Sequence, residues 1–306
     1  MTSTSPPLRP SRPEIREGAC LRIARVPIEG LDLTALLFEG AFYRVDVLDE
    51  LLGTPFSSEL GVTAEFHRRV FGLGSAGLEP HLEALAEGHR ADEARVELGP
   101  RRPLLPPLGR SPTLLEAPVD GPTPLAARVD GRALLGHEAS GLVPDDVGPL
   151  RVRAALALVL GDDLHKPRPE EAAKAVLGVC PALTWAALDD ERRALEAGLG
   201  PGPGRDVGTH LGPFLTYRQA FEFGLELDLR LVSGSSSARY KRVRVERERY
   251  GAILARAARY GDLTAGDALL LTVGPGLEVA AAQEARLEAG PLGTLSGRLG
   301  GLPGRR

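Results

Sequence analysis

From Leu150 to Leu160 apolar residues recur at alternate positions: Leu150, Val152, Ala154, Leu156, Leu158 and Leu160 share one face, and Arg151, Arg153, Ala155, Ala157 and Val159 the other. Period-2 alternation predicts a strand. Its second half is apolar on both faces, so the strand enters a core, and Arg153 and Ala155 stand where a pocket can open. The stretch "LELDLRLVSG" alternates cleanly and predicts a strand with one wet face. In "RPEEAAKAVLG" a short helix is expected, with Pro near its start and Gly178 as its stop, and a new strand from Val179. Helical spacing recurs in "ERERYGAILARAARYG", and "LTAGDALLLTVGPG" reads as a turn and a buried strand. Upstream, "CLRIARVPIEG" through "TALLFEGAFYRVDVLDELLG" predicts short strands broken by Gly. A helix then follows in "TAEFHRRVFGLG" or "GLEPHLEALAEGH".

Punctuation between these elements divides the chain. Residues 1–13 are a Pro/Ser tail that cannot bury enough apolar surface to offset its ordering entropy, so disorder is expected there. Residues 14–97 read as a small N-terminal α+β domain. Prolines crowd residues 98–112, which read as a linker because Pro fixes φ and lacks a donor. Residues 113–300 form the main domain and 301–306 a short tail. Strands outnumber helices and no βαβ repetition appears, so the fold class is α+β. A flexible loop is expected from Ala197 to Gly208.

Composition narrows the class. With 43% hydrophobic and 25% charged residues, the 306-residue chain is globular. No apolar run is long enough to span a bilayer and the start lacks a hydrophobic signal core, so a cytoplasmic protein with no membrane partner is expected. Cys20 and Cys180 have no metal or scaffold spacing. A net charge of -4 gives no global attraction to nucleic acid, and the basic stretch "ARYKRVRVERER" is diluted by Glu246 and Glu248, as on a wet surface. All but three of the 37 basic residues are arginine, a compositional bias that carries no functional meaning by itself.

The order of "LLPPL", "LALVLG", "RPEEAAKAVLG", "HLGPFLT", "LELDLRLVSG", "AILARAARYGDLTAGDALLLT" and "GPLGTLSGRL" resembles the fumarylacetoacetate hydrolase family over Leu104 to Leu299. The resemblance implies a mixed β-roll catalytic domain behind a small leading domain. It also implies dimerisation and action on oxo-acids or 1,3-dicarbonyl compounds with Mg²⁺ or Mn²⁺. Such chemistry needs a hard cation held by carboxylates. The family's Glu-x-Glu pair falls on Arg153 and Ala155 here, and its third acidic ligand on Thr184. The family's lysine before "LGPF" falls near Pro203, with Arg205 the nearest cation. A His and Glu expected on a short lid have no match in "TLLEAPVDGPTPLAARV". The resemblance therefore implies a diverged member with no metal and no other cofactor.

Other polar residues are weighed against this frame. His210 reads as an exposed loop residue or a weak catalytic candidate. Asp189 reads as a weak catalytic candidate or a surface pair with Arg192 or Arg193. His137 and Glu138, as strand neighbours, would face opposite ways, and "GDDLH" suits a polar turn. Arg153, Thr184 and Arg205 are the expected ligand-binding residues, with Arg153 clamping a carboxylate or pairing with Asp189 or Asp206. Three functions remain open. One is a metal-independent oxo-acid binder with tautomerase, dehydratase or cyclase chemistry. The second is a noncatalytic subunit in a homodimer or in a heterodimer with a paralogue. The third is metal-dependent C–C hydrolysis, if the ligand register differs.

Overall fold

The computed structural model describes residues 21–28, 31–53, 79–88, 91–96, 104–108, 112–129, 133–144, 146–200, 202–205, 207–217 and 224–301. The expected tail at 1–13, the helix option at 63–74 and Asp206 lie outside the described residues. The leading segment holds strands β1 (Arg22–Ile28), β2 (Leu31–Phe38) and β3 (Ala41–Arg44), helices α1 (Val45–Leu52), α2 (Glu79–Ala86) and α3 (Ala91–Ala94), and strand β4 (Arg95–Val96). Next come β5 (Leu114–Pro118), β6 (Ala127–Val129), β7 (Leu134–Leu135), β8 (Ser140–Val143) and β9 (Leu150–Leu160). Helix α4 (Pro169–Lys174), β10 (Val176–Ala187), α5 (Leu188–Glu196), α6 (Gly202–Arg205), β11 (Thr209–Leu211) and β12 (Leu215–Tyr217) follow. The chain closes with β13 (Leu225–Ser233), β14 (Ser236–Val245), α7 (Arg247–Ala257), β15 (Ala268–Val279), β16 (Glu284–Glu288) and β17 (Thr294–Gly301).

Two mixed sheets carry this α+β fold. The larger runs β4-β3-β2-β1-β12-β10-β9-β15-β5-β6, with β11 pairing β10 and β7; the smaller runs β14-β13-β16-β17-β8. Strand β9 lies between β10 and β15, antiparallel to both. Its even face, from Leu150 to Leu160, packs with Leu229, Leu231, Leu287 and Leu295 of the smaller sheet. Its odd face, at Ala155, Ala157 and Val159, packs with Ile23, Leu36, Val45 and Leu48 of the leading segment. The apolar second half is thus buried on both sides, as its pattern demands. Toward Arg153 and Arg151 burial on the odd face gives way to partial exposure.

Several local expectations are corrected. Val45–Leu52 is helical rather than extended: Val45 and Leu48, three apart, are both fully buried, which suits a helical stripe, and Gly53 at φ 61° closes the helix. Gly178 is no helix stop, because α4 ends at Lys174 and β10 begins at Val176, three residues before the expected Val179. The expected loop at 197–208 contains α6, whose Gly204 lies so close to the backbone of Glu191 that a Cβ there would overlap it. In the proline-rich stretch, Leu105 bridges to Arg25, and the buried Leu108 gives its carbonyl to Arg25 Nη1 at 2.6 Å. His137 and Glu138 occupy a turn, with Glu138 at φ 61°, so strand alternation is not what separates them. No helix among the described residues is long and apolar enough to cross a membrane.

Candidate functional site

The site grows from one irregularity in the β9–β15 ladder. Val273 pairs with Ala154 and Leu277 with Val152, so Gly274, Pro275 and Gly276 bulge out opposite Arg153. Gly274 and Gly276 have φ of 65° and 83°, values that glycine adopts without strain. A Cβ on Gly276 would overlap the Val152 carbonyl and crowd Cγ of Arg153 at 2.8 Å. The bulge therefore lies directly on the Arg153 stem. It opens a pocket of about 470 Å³ walled by Glu116, Arg151, Arg153, Arg205, Thr272 and Glu278 as well as the bulge itself.

Four charged side chains interlock at one end of this pocket. Arg153 donates from Nη1 to Glu116 Oε1 at 3.0 Å and from Nη2 to Glu191 Oε1 at 3.3 Å. Arg205 donates from Nη1 to the same Glu116 oxygen at 3.2 Å and from Nε to the same Glu191 oxygen at 2.9 Å. Both carboxylates are buried, at 4% and 9% side-chain exposure for Glu116 and Glu191, so each charge needs the reciprocal pairing it finds. Burial raises the Glu191 carboxyl, but the hydrogen bond from Arg205 and the charges of Arg153 and Arg205 outweigh it and hold the group below its usual range. Glu116 comes from β5, which runs parallel to β15, and Glu191 from the side of α5 that buries Ala194. The close approach at Gly204 carries Arg205 to the cluster.

The expected site residues divide. Arg153 and Arg205 meet in the pocket wall. Thr184 lies opposite Arg153 on β10, buried and outside that wall. Asp189 is not the partner of Arg153: it accepts from Arg192 at 3.0 Å at the start of α5, while Glu191, two residues and about 200° further round the helix, turns toward the sheet. His210 is not an exposed loop residue but fully buried in β11. Trp185 Nε1 donates to its Nδ1 at 3.0 Å, so Nε2 carries the proton and donates to the Ala139 carbonyl at 3.1 Å. Burial pushes its pKa down to about 4, the Ala139 hydrogen bond opposing the shift. In "GDDLH", Asp163 accepts from the Ala265 amide at 2.9 Å and His165 pairs with Asp262 at 2.7 Å, both as turn and surface contacts.

Glu116 and Glu191 escaped the reading of the sequence. The signal for Glu116 was available: one acid inside the apolar run "LLEAP" is a buried charge in need of a partner. Glu191 gave none, since "LDDERRALE" is charged throughout.

The sequence signature described as "Fumarylacetoacetate (FAA) hydrolase C-terminal" matches residues 119–299, more than half of the chain. The chain belongs to the fumarylacetoacetate hydrolase family. Solved structures share the fold of this family member. Maleylpyruvate hydrolase from Sphingobium sp. SYK-6 aligns with TM-score 0.67 at 17% identity, over 92% of this chain and 100% of that one. The same enzyme in complex with manganese(II) ion and pyruvate gives 0.66 at 17%, over 92% and 99%. The fumarylacetoacetate hydrolase of Exiguobacterium antarcticum gives 0.67 at 15%, over 92% and 100%. No curated protein matches the sequence significantly.

A family metal would need several oxygen ligands around one point. Here Arg153, Ala155 and Thr184 offer a guanidinium, a methyl group and one hydroxyl, and the two nearby carboxylates are each engaged by two arginines. Among the described residues no group of three or more His, Cys, Asp or Glu is placed to hold a metal ion. The described residues at this site do not fit a divalent cation.

Proposed function

We propose that this protein binds a small oxo-acid in the pocket beside the arginine–glutamate cluster, without a metal. The observation that carries the reading is the convergence of Arg151, Arg153 and Arg205 on one cavity, where guanidinium groups supply the positive charge that a carboxylate needs. Arginine suits this role because its planar fork matches a carboxylate. Thr184 backs Arg153 from β10. Hydrolysis of a C–C bond would require an activated water, and the buried carboxylates at the pocket, Glu116 and Glu191, are tied to guanidinium groups, while Glu278 stands mostly in water. Tautomerisation of the bound acid is the least demanding chemistry compatible with that arrangement. Calorimetry with pyruvate, the ligand held by one of the structural neighbours, tests the reading. Binding at about millimolar affinity in EDTA, unchanged by added Mn²⁺, is expected. Binding that requires Mn²⁺ would sink it.

The closure of the ion cluster within one chain supports a second reading, a noncatalytic subunit that keeps the fold. Co-purification of a paralogue from the native host, together with silence toward pyruvate, would favour that alternative.

A further inference from the structure

Strand β9 places two arginines on one face, and the sheet treats them differently. Arg153, with 13% of its side chain exposed, is hydrogen-bonded to both buried glutamates. Arg151 is 30% exposed, and its neighbouring carboxylates are Glu191 Oε2 at 3.9 Å and Glu278 Oε1 at 3.7 Å. Both distances exceed hydrogen-bond range. Glu278 is the cross-strand partner of Arg151 on β15, so its backbone is fixed in register while its side chain, 67% exposed, is free to swing into water. Arg153 and Arg205 balance Glu116 and Glu191 charge for charge. Arg151 is the surplus, and its counter-charge is the exposed Glu278.

We propose that Arg151 is the carboxylate clamp of the pocket, and that Glu278 is a tethered counter-charge which the ligand displaces. The inference rests on the oxo-acid reading above and specifies its ligand class. A carboxylate seated bidentately on Arg151 at hydrogen-bond distance replaces a contact that is 3.7 Å long. One surplus guanidinium accommodates one carboxylate. A second would find Arg153 and Arg205 already paired with Glu116 and Glu191, and no further guanidinium in the wall to receive it. The pocket therefore selects oxo-monocarboxylates over oxo-dicarboxylates.

Titration of the intact protein, Glu278→Gln and Arg151→Ala with pyruvate and with 2-oxoglutarate tests the assignment. Glu278→Gln should tighten pyruvate roughly three- to fivefold, the scale of one exposed charge pair. Arg151→Ala should weaken it by about tenfold or more, as expected for a hydrogen bond between charged groups. Pyruvate should bind the intact protein more tightly than 2-oxoglutarate does. Equal pyruvate affinity in all three proteins would overturn the clamp while leaving the oxo-acid reading standing. Silence of all three toward both acids would remove that reading and the clamp with it. Glu278 lies mostly in water, so its variant folds and keeps the test decisive even if Arg151→Ala is unstable.

Discussion

Two polar groups of this protein, one within the larger sheet and one between that sheet and two helices, are satisfied in opposite ways. The Trp185–His210–Ala139 chain is neutral: one ring accepts from an indole and donates to a carbonyl, and nothing is left over. The Arg153–Arg205–Glu116–Glu191 cluster is charged, and each member is satisfied only by the others. A neutral chain can be sealed into a core without residue. A charged cluster needs a wet edge or a perfect balance, and here it sits beside a pocket whose third arginine tips the count.

Breaking the charged cluster should have the largest effect. Arg153→Ala would leave two buried carboxylates hydrogen-bonded by Arg205 alone, with Arg151 no nearer to Glu191 than 3.9 Å, at a cost of about 3–5 kcal/mol, the usual result of removing one member of a buried pair. Chemical denaturation measures it. A loss below about 1 kcal/mol would mean that the cluster is solvated and behaves as a surface pair. The neutral chain should break with acid. His210 in the fold titrates near pH 4, whereas the unfolded side chain titrates near 6.5, so the unfolded state binds the extra proton between those values. Stability from this residue is complete above pH 6.5 and falls with acidification to about pH 4, by about 3 kcal/mol over the interval. His210→Asn keeps an acceptor for Trp185 and should flatten that slope in a pH series of unfolding curves; an unchanged slope would assign the acid sensitivity elsewhere. The smallest effect is expected at Asp189. Its pair with Arg192 is exposed, so Asp189→Asn should shift stability by less than about 0.5 kcal/mol.

How much the sequence disclosed follows from what each element depends on. Strands β9, β13 and β15 and helix α7 were legible because periodicity alone decides them. Helix α1 was misread because its buried Val45 and Leu48 sit in a short apolar run directly after β3, where strand and helix patterns overlap. Arg153 and Arg205, which share the pocket wall, were singled out through family order. Their partners were not, since pairing with Glu116 and Glu191 is set by the β5–β15 register and by the close approach of Gly204, both long-range. His210 was misplaced for a related reason: a polar residue just after a glycine-rich stretch looks exposed until Trp185, 25 positions earlier in sequence, supplies its hydrogen bond.

The position of β5 has a consequence for anyone dividing this chain. The family signature begins at residue 119, one residue after β5 ends, yet β5 is the strand that joins β15 to β6 and brings Glu116 to the pocket. A chain cut at that signature would present β15 as a raw sheet edge lined by Ala268, Leu269, Leu270 and Leu271, and on the other side β12 would lose β1. Open apolar edges recruit other strands, so such a fragment is expected to aggregate. The sheet is thus a single piece of masonry in which the leading residues are a keystone rather than an annex.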